Sequence, residues 1–448
     1  MARHNTLLVL LAVAGAHAAA AQTVQPTAPV DTSPLPPITL DDALARAAKY
    51  GTQVQSASLA VALATEDRKV ARAGTLPSLN AFNQFIYTQG NGTPSGVFVA
   101  NDGVHIYNEQ AVVHQELLSA FRRGEINVAA AAEAVARAKV EVARRGLSLT
   151  VVQDYYAILA AQRKLVNAQT SVTEAEQFLD ITRKQESGGE VAHADVVKAQ
   201  ITLQQRQRDL QDFQLALEKA KISLGVLMFP DLRSDFTVFD DVQEPVLLPP
   251  FPEAQAKAVA SSPDLQAAQA GVRQAGYEVN VAKYAYLPSF GLDFFYGIDA
   301  NQFAARSAER GDVPGAYRQN LGYSAQATLN IPVWNWGATR ARVKQSVIKQ
   351  QQAQLDLTYA QRTLQGNLAL QYREAQAAQA QIDSLRSSVE LAQESVRLTL
   401  LRYNAGEAVA LEVVDAQTTL AQARNAYEDG LVRYRVAIAS LRSMTGTQ

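Results

Sequence analysis

Leu287-Pro288-Ser289-Phe290-Gly291-Leu292-Asp293-Phe294-Phe295-Tyr296-Gly297-Ile298-Asp299, and after a gap Leu321-Gly322-Tyr323-Ser324-Ala325-Gln326-Ala327-Thr328-Leu329-Asn330-Ile331-Pro332, carry the clearest period in this chain. In the first run Phe290, Leu292, Phe294, Tyr296 and Ile298 share one face, and Ser289, Gly291, Asp293, Gly297 and Asp299 the other. In the second, Leu321, Tyr323, Ala325, Ala327, Leu329 and Ile331 alternate with Gly322, Ser324, Gln326, Thr328 and Asn330. Side chains alternate across a strand, so each run predicts a strand that is greasy on one side and wet on the other. A length of about ten residues suits a tilted membrane strand with lipid outside and water inside. The same alternation also fits a sandwich face packed on a soluble core.

Working outward, the run belongs to the second of two copies of one plan. Leu76-Pro77-Ser78 matches Leu287-Pro288-Ser289, and each follows an Ala-rich helical stretch, at residues 39–74 and 252–286. In the first copy Leu79, Ala81, Phe85 and Tyr87 face Tyr107, Ala111, Val113 and Leu117, interrupted by Asn83, Glu109 and Gln115. The plan per copy is helix, strand, strand, helix, helix, with solvent-facing loops at 89–104 and 300–320. The predicted layout is a signal peptide at 1–21, a Pro-rich segment at 22–38, repeat 1 at 39–228, a linker at 229–251 and repeat 2 at 252–448. The strands are placed at 78–88, 105–117, 287–299 and 321–332. Four strands cannot close a barrel, because about eight is the smallest number that works and lipid tolerates no open edge. Strands from several copies must therefore meet, and strand count alone allows a dimer, trimer or tetramer.

The helical stretches are unusually long. Residues 122–187 and 337–403 hold no proline and little glycine, so each can be one helix of roughly 100 Å at about 1.5 Å per residue. The apolar spacing is three-four: Leu165, Ala168, Val172, Ala175, Leu179, Thr182 in one, and Ile382, Leu385, Val389, Ala392, Val396 in the other. Return helices at 190–228 and 407–445 keep that period through Leu203, Leu210, Phe213, Leu217 and through Val413, Ala416, Leu420, Ala423. This is coiled-coil patterning with Ala seams that allow close approach. Ser187-Gly188-Gly189-Glu190 and Asn404-Ala405-Gly406-Glu407 mark the two turns, where glycine takes the left-handed conformation that ends a helix.

Composition excludes several function classes. The layout Arg3, apolar 7–16 and small residues 18–21 reads as a secretory signal peptide. There is no cysteine, which removes disulfides, thiolate metal sites and a lipid-bearing first cysteine. Beyond the signal no apolar run is long enough for a membrane helix. Lys and Arg total 41 against 43 Asp and Glu, with the signs interspersed, so no nucleic-acid footprint is visible. His105 and His114 are separated by an odd number of strand positions and cannot share a metal, and His193 reads as a solvated residue at a helix start. No catalytic motif, cofactor site or metal site is expected. Trp334 and Trp336, just past the last strand, fit either a membrane-interface anchor or core packing.

Taken in order, these features resemble the TolC family of outer-membrane efflux proteins. Leu76-Pro77 and Leu287-Pro288 lead into strands, Leu329-Asn330-Ile331-Pro332-Val333-Trp334 with Gly337 leaves the last one, and Tyr403 to Gly406 runs on to Val413-Val414-Asp415-Ala416-Gln417-Thr418-Thr419-Leu420. The resemblance implies a mainly α chain with a membrane β-barrel: a homotrimer with 12 strands around one bore, joined to a long periplasmic α-helical tunnel. It also implies a passive exit duct working with a periplasmic adaptor and an inner-membrane pump, in outer-membrane lipid. Outer-membrane service in type I protein secretion and a soluble periplasmic coiled-coil adaptor are the alternatives.

Acids six and nine positions after the turn glycine form rings at the inner end of the tunnel in that family. By resemblance these are Glu412 and Asp415, three apart and on one helix face; the competing reading is that acids near a helix start complement its dipole. The first copy has Asp195 and Lys198 there. The resemblance further places Asp195 and Tyr403 at a latch between protomers, but the usual basic partner is replaced by Ala408. It assigns adaptor docking to the tips at Gly188, Gly189 and Gly406.

Overall fold

The computed structural model describes residues 37–87, 105–231, 235–242, 246–300, 302–310 and 317–446. The signal segment, nearly all of 22–38 and the expected outer loop at 89–104 lie outside the described residues. Copy one comprises α1 (Leu40–Tyr50), α2 (Thr52–Ala73), β1 (Ser78–Tyr87), β2 (His105–Leu118), α3 (Ala120–Ser187) and α4 (His193–Met228). Copy two comprises α5 (Phe251–Ser261), α6 (Pro263–Tyr284), β3 (Ser289–Ala300), a ribbon of β4 (Arg306–Arg310) and β5 (Tyr317–Gln319), β6 (Leu321–Asn330), α7 (Ala338–Asn404) and α8 (Ala410–Thr445).

Three features depart from the reading of the sequence. The first helical stretch breaks at Gly51, whose backbone is extended (φ −62°, ψ 112°) and leaves no room for a side chain beside Leu147. The matching stretch breaks at Ser262, whose hydroxyl accepts from Leu265 N at 3.3 Å and starts a new helix at Pro263. Proline is suited to a first turn because it has no N–H to satisfy there. The third departure is the β4–β5 ribbon, which stands within a segment expected to be loop.

The four main strands form one antiparallel sheet in the order β1-β2-β3-β6. Its register brings the copy-one pairs together: Leu79 opposite Val113, Ala81 opposite Ala111, Phe85 opposite Tyr107. One face carries most of the aromatic side chains, with Phe85 and Tyr107 rings 5.1 Å apart and Phe294 stacked on Tyr323 at 6.0 Å. On the other face His114 Nδ1 meets Asp293 Oδ1 at 2.6 Å. The aromatic face is bare, with Leu79 72% and Tyr323 77% exposed. A sandwich strand buries such residues, so a face packed on this chain's own soluble core is ruled out. Gly297 lets β2 and β3 close up, because a Cβ there would strike the Glu109 carbonyl and the Gln110 backbone. Gly297→Val is therefore expected to cut the yield of folded protein several-fold, overpacking a well-fitted site by about 1–3 kcal/mol or more. Normal yield would mean that the strands separate there at little cost.

Below the sheet, α3 (68 residues) and α7 (67 residues) each run unbroken for the full length. The shorter helices fill in beside them. Near the sheet the neighbours run α2, α3, α6, α7, and near the tips α4, α3, α8, α7. The edge of β1 thus continues into α2 and α4, and the edge of β6 continues into α7. Both edges carry exposed apolar stripes: Leu59, Leu63 and Val70 on α2, Ile201, Leu215 and Val226 on α4, against Ile348, Leu355, Tyr359, Leu391 and Leu398 on α7.

At mid-height a strap crosses α3. Ile38 bridges Val238 in parallel, with Ile38 N donating to Thr237 O at 2.8 Å and Phe239 N to Ile38 O at 2.9 Å. Beneath it Tyr155 is fully buried and donates to Phe239 O at 2.6 Å. Arg163 forks onto both Asp240 oxygens and also reaches Glu428 at 3.0 Å. Nearer the sheet, Glu133 of α3 is buried between Arg137 (2.6 Å) and Arg68 of α2 (3.0 Å). The Arg137 hydrogen bond, helped by the Arg68 charge against the cost of burial, holds its carboxyl below the usual carboxylate range. A lowered carboxylate stabilises the fold above its unfolded pKa, and that contribution is lost as pH falls. Glu133→Gln should lower the melting temperature at neutral pH, and the gap to wild type should close as pH falls through about 4. A gap that is constant with pH would assign the effect to shape and not to charge.

Candidate functional site at the helical tips

Each long helix ends in the same turn. Gly189 (φ +76°) and Gly406 (φ +75°) take the left-handed conformation, which costs a residue with a Cβ about 1–2 kcal/mol. Gly189 N bonds Glu186 O at 2.9 Å and Glu190 N bonds Gln185 O at 2.9 Å; Gly406 N bonds Tyr403 O at 3.0 Å and Glu407 N bonds Arg402 O at 2.8 Å. These paired bonds satisfy the last carbonyls of α3 and α7. Gly188, by contrast, is ordinary right-handed backbone (φ −80°).

The two hairpins pack on each other through a small core of Phe178, Leu179, Val196, Tyr403, Val413 and Val414. Tyr403 is 2% exposed, sits edge-on to Phe178 at 5.2 Å, and its hydroxyl donates to Thr182 Oγ1 at 3.4 Å. Burial, with the Asp195 charge adding to it, pushes the phenol above its ordinary range. Within one chain Tyr403 therefore joins hairpin α3–α4 to hairpin α7–α8, with its hydroxyl engaged by its own Thr182. Asp195 is half-buried and in electrostatic reach of that phenol, without a hydrogen bond to it.

Glu412 and Asp415 have different surroundings. Glu412 accepts from Val409 N at 3.4 Å, which is half of a capping box, and pairs with Arg402 Nη1 at 3.2 Å. Arg402 also donates to Glu407 O at 3.1 Å, clamping the turn. The dipole-complementing role is thus visible for Glu412 in the single chain. Asp415 is exposed and takes no side-chain hydrogen bond or ion pair among the described residues. In the first copy His193 Nδ1 meets Glu186 Oε1 at 2.7 Å. The sequence reading did not single out Arg402 or Phe178, and it placed Thr182 only in the three-four seam of the first long helix, not beside Tyr403. Arg402 had a local signal as well, a base in the last turn of a helix, where it complements the dipole; Phe178 had none.

The comparisons agree with this architecture. The family model described as "Outer membrane efflux protein" matches residues 41–228 and 255–447. The pyoverdine export outer membrane protein OpmQ of Pseudomonas putida is 25% identical over 62% of this chain, which spans 56% of that protein's length. The proteases secretion protein PrtF of Dickeya chrysanthemi is 23% identical over 91% of this chain and 87% of its own. Among solved structures, the CmeC outer membrane channel of Campylobacter jejuni superposes with a TM-score of 0.79 at 16% identity, covering 94% of this chain and 90% of that one. At that identity the likeness speaks for the fold alone. With the family match spanning both repeats, the chain belongs to the outer membrane efflux protein family.

Proposed function

We propose that the protein is a homotrimeric exit duct in the outer membrane, extending into the periplasm, through which an inner-membrane pump discharges cargo by way of a periplasmic adaptor. The observation that carries this reading is the pair of open edges on each protomer. β1 and β6 are unpaired strand edges, and the α2/α4 and α7 stripes lie directly beneath them. Different faces that meet head to tail close into a ring when the rotation permits. Three copies give a 12-stranded barrel with its aromatic face toward lipid and His114 and Asp293 toward the bore. Catalysis has no part in such a passive path.

The tips at Gly188, Gly189 and Gly406 are then the surface for adaptor hairpins, and opening separates the two hairpins of each protomer at the Tyr403 core. Asp195 and Tyr403 belong to the closed gate. Glu412 and Asp415 ring the constriction and favour cations. Since Glu412 is tied to Arg402, Asp415 supplies most of the uncompensated charge. Replacing both acids with Ala should lower cation preference in single-channel recordings, with Asp415→Ala alone giving the larger share. Unchanged selectivity in the double variant would remove them from the constriction.

Service in protein secretion is the second reading, favoured by the match to the proteases secretion protein across nearly the whole chain. The duct is the same in both readings, and the partner at the tips differs. Crosslinking in membranes through cysteines introduced for Gly189 and Gly406 separates them by the adaptor and pump captured.

A further inference from the structure

The bore-side face of the sheet is less wet than simple alternation implies. Phe82 of β1, Val112 of β2 and Phe295 of β3 all fall on the side that carries His114 and Asp293. The register sets Val112 opposite Phe295. It also sets Asn80 opposite Val112 and Phe82 opposite Gln110, so Phe82 is the diagonal neighbour of Val112. Diagonal positions in an antiparallel pair are about 7–8 Å apart, within reach of an aromatic side chain. The three residues thus form one apolar diagonal across three strands. Phe82 is 42% exposed, and Val112 and Phe295 are half-buried, so the chain leaves part of this diagonal uncovered on a side that gains nothing from lipid.

The next cross-strand row on this face has no side chain at its β3 and β6 positions. Gly297 lies opposite Gly322, and a Cβ added at Gly322 would meet nothing, so bare peptide lies open beside Phe295. One row further on stands Asp299, exposed and with no hydrogen bond or ion pair among the described residues. The other acids of this face are engaged: Asp293 meets His114 Nδ1 at 2.6 Å, and Glu116 meets Arg122 Nε at 3.1 Å. None of the four strands contains Lys or Arg, which leaves the Asp299 charge uncompensated. A body seated over the glycine row has Phe295 on one side and Asp299 on the other, each about 7 Å away along the strand. An aromatic face also attracts a cation through its quadrupole.

We propose that this recess is a cargo-binding site in the wall of the bore, taking organic cations with an apolar aromatic body. The body lies on the glycine row against Phe295, with Val112 and Phe82 extending the apolar path, and the positive charge faces Asp299. The proposal rests on the duct reading, which turns this face to water, and it gives the duct a substrate preference of its own. Three protomers set three such recesses around one bore.

Tetraphenylphosphonium is the probe, dialysed to equilibrium against the full-length protein in lipid nanodiscs, with empty nanodiscs subtracted. Saturable binding is the expected result. Phe295→Leu, which keeps the apolar bulk and removes the aromatic face, should weaken it by about fivefold. Asp299→Asn, close in shape and without charge, should also weaken it by about fivefold. Phe294→Leu, on the opposite face of the same strand, should bind as the parent does. Tetraphenylborate, an anion of the same shape, should show no saturable binding. The proposal falls if binding is unsaturable, if either Phe295→Leu or Asp299→Asn leaves it intact, if Phe294→Leu weakens it as much, or if both ions bind alike. The mass of each assembly in nanodiscs is measured alongside, and should Phe295→Leu fail to assemble, Asp299→Asn decides. A parent protein that does not enter nanodiscs, or enters as a monomer, would instead sink the duct reading.

Discussion

On the trimeric duct proposed above, Leu355→Glu is expected to prevent the ring from closing, giving monomer by mass in detergent where the parent should give trimer. Leu355 is 69% exposed on α7, in line with Ile348 and Tyr359. It lies 17 residues below the top of α7, and Leu59 of the opposite edge lies 14 residues below the top of α2. At about 1.5 Å per residue these depths are roughly 26 and 21 Å, so the two stripes meet at matching heights when edges join. Burying an unpaired carboxylate costs several kcal/mol after relaxation, and the proposed ring would contain the change three times. Leu355→Met keeps the volume and should assemble normally. Leu59→Glu should fail in the same way as Leu355→Glu. If only one of the two breaks assembly, the stripes do not face each other.

Tyr155→Ala should have the largest effect on the single chain. The ring fills the space between α3 and the strap, and truncating a buried aromatic costs about 3–5 kcal/mol. The Phe239 carbonyl also loses its phenol donor, a further penalty of about 1–3 kcal/mol. We expect a lower melting temperature and faster proteolysis of the linker at 229–251, because Ile38 and Phe239 are held over this ring. Tyr155→Phe should recover most of the loss. Burial, with the Asp241 charge next, pushes the Tyr155 phenol above its ordinary range. A raised pKa stabilises the fold at lower pH, and that contribution is lost as pH rises beyond the unfolded value of about 10. Tyr155→Phe should therefore blunt the alkaline loss of stability. A melting curve unaltered by Tyr155→Ala would show that the strap is held elsewhere.

Much of the fold was legible because it is periodic. Alternation over Phe290 to Ile298 specified a strand with one greasy face, whereas the register that sets Leu79 opposite Val113 and Phe85 opposite Tyr107 was not legible, because a period of two fixes the face and not the pairing. The uninterrupted α3 and α7 follow from long three-four spacing without proline. The breaks at Gly51 and Ser262 were harder to see. A single glycine inside a helical pattern is often tolerated, and Ser-Pro becomes a boundary only when its hydroxyl takes the cap. The β4–β5 ribbon has too short a pattern to register at all.

The tips divide in the same way. Glycine in the left-handed region answers a demand of the turn itself, so Gly189 and Gly406 are readable from the chain. The partners of Tyr403 and Glu412 are not, since Thr182 is 221 positions from Tyr403 in the chain and Arg402 meets Glu412 only because the turn folds it back. By itself the sequence determined the periods, the duplicated plan and the two turns, because these depend on neighbours along the chain. Only the tertiary structure decided that Tyr403 faces its own α3, that Ile38 and Phe239 strap Tyr155, and that Trp334 and Trp336 stay bare. Those outcomes depend on which distant surfaces come into contact, and a local repeat carries no information about its partner.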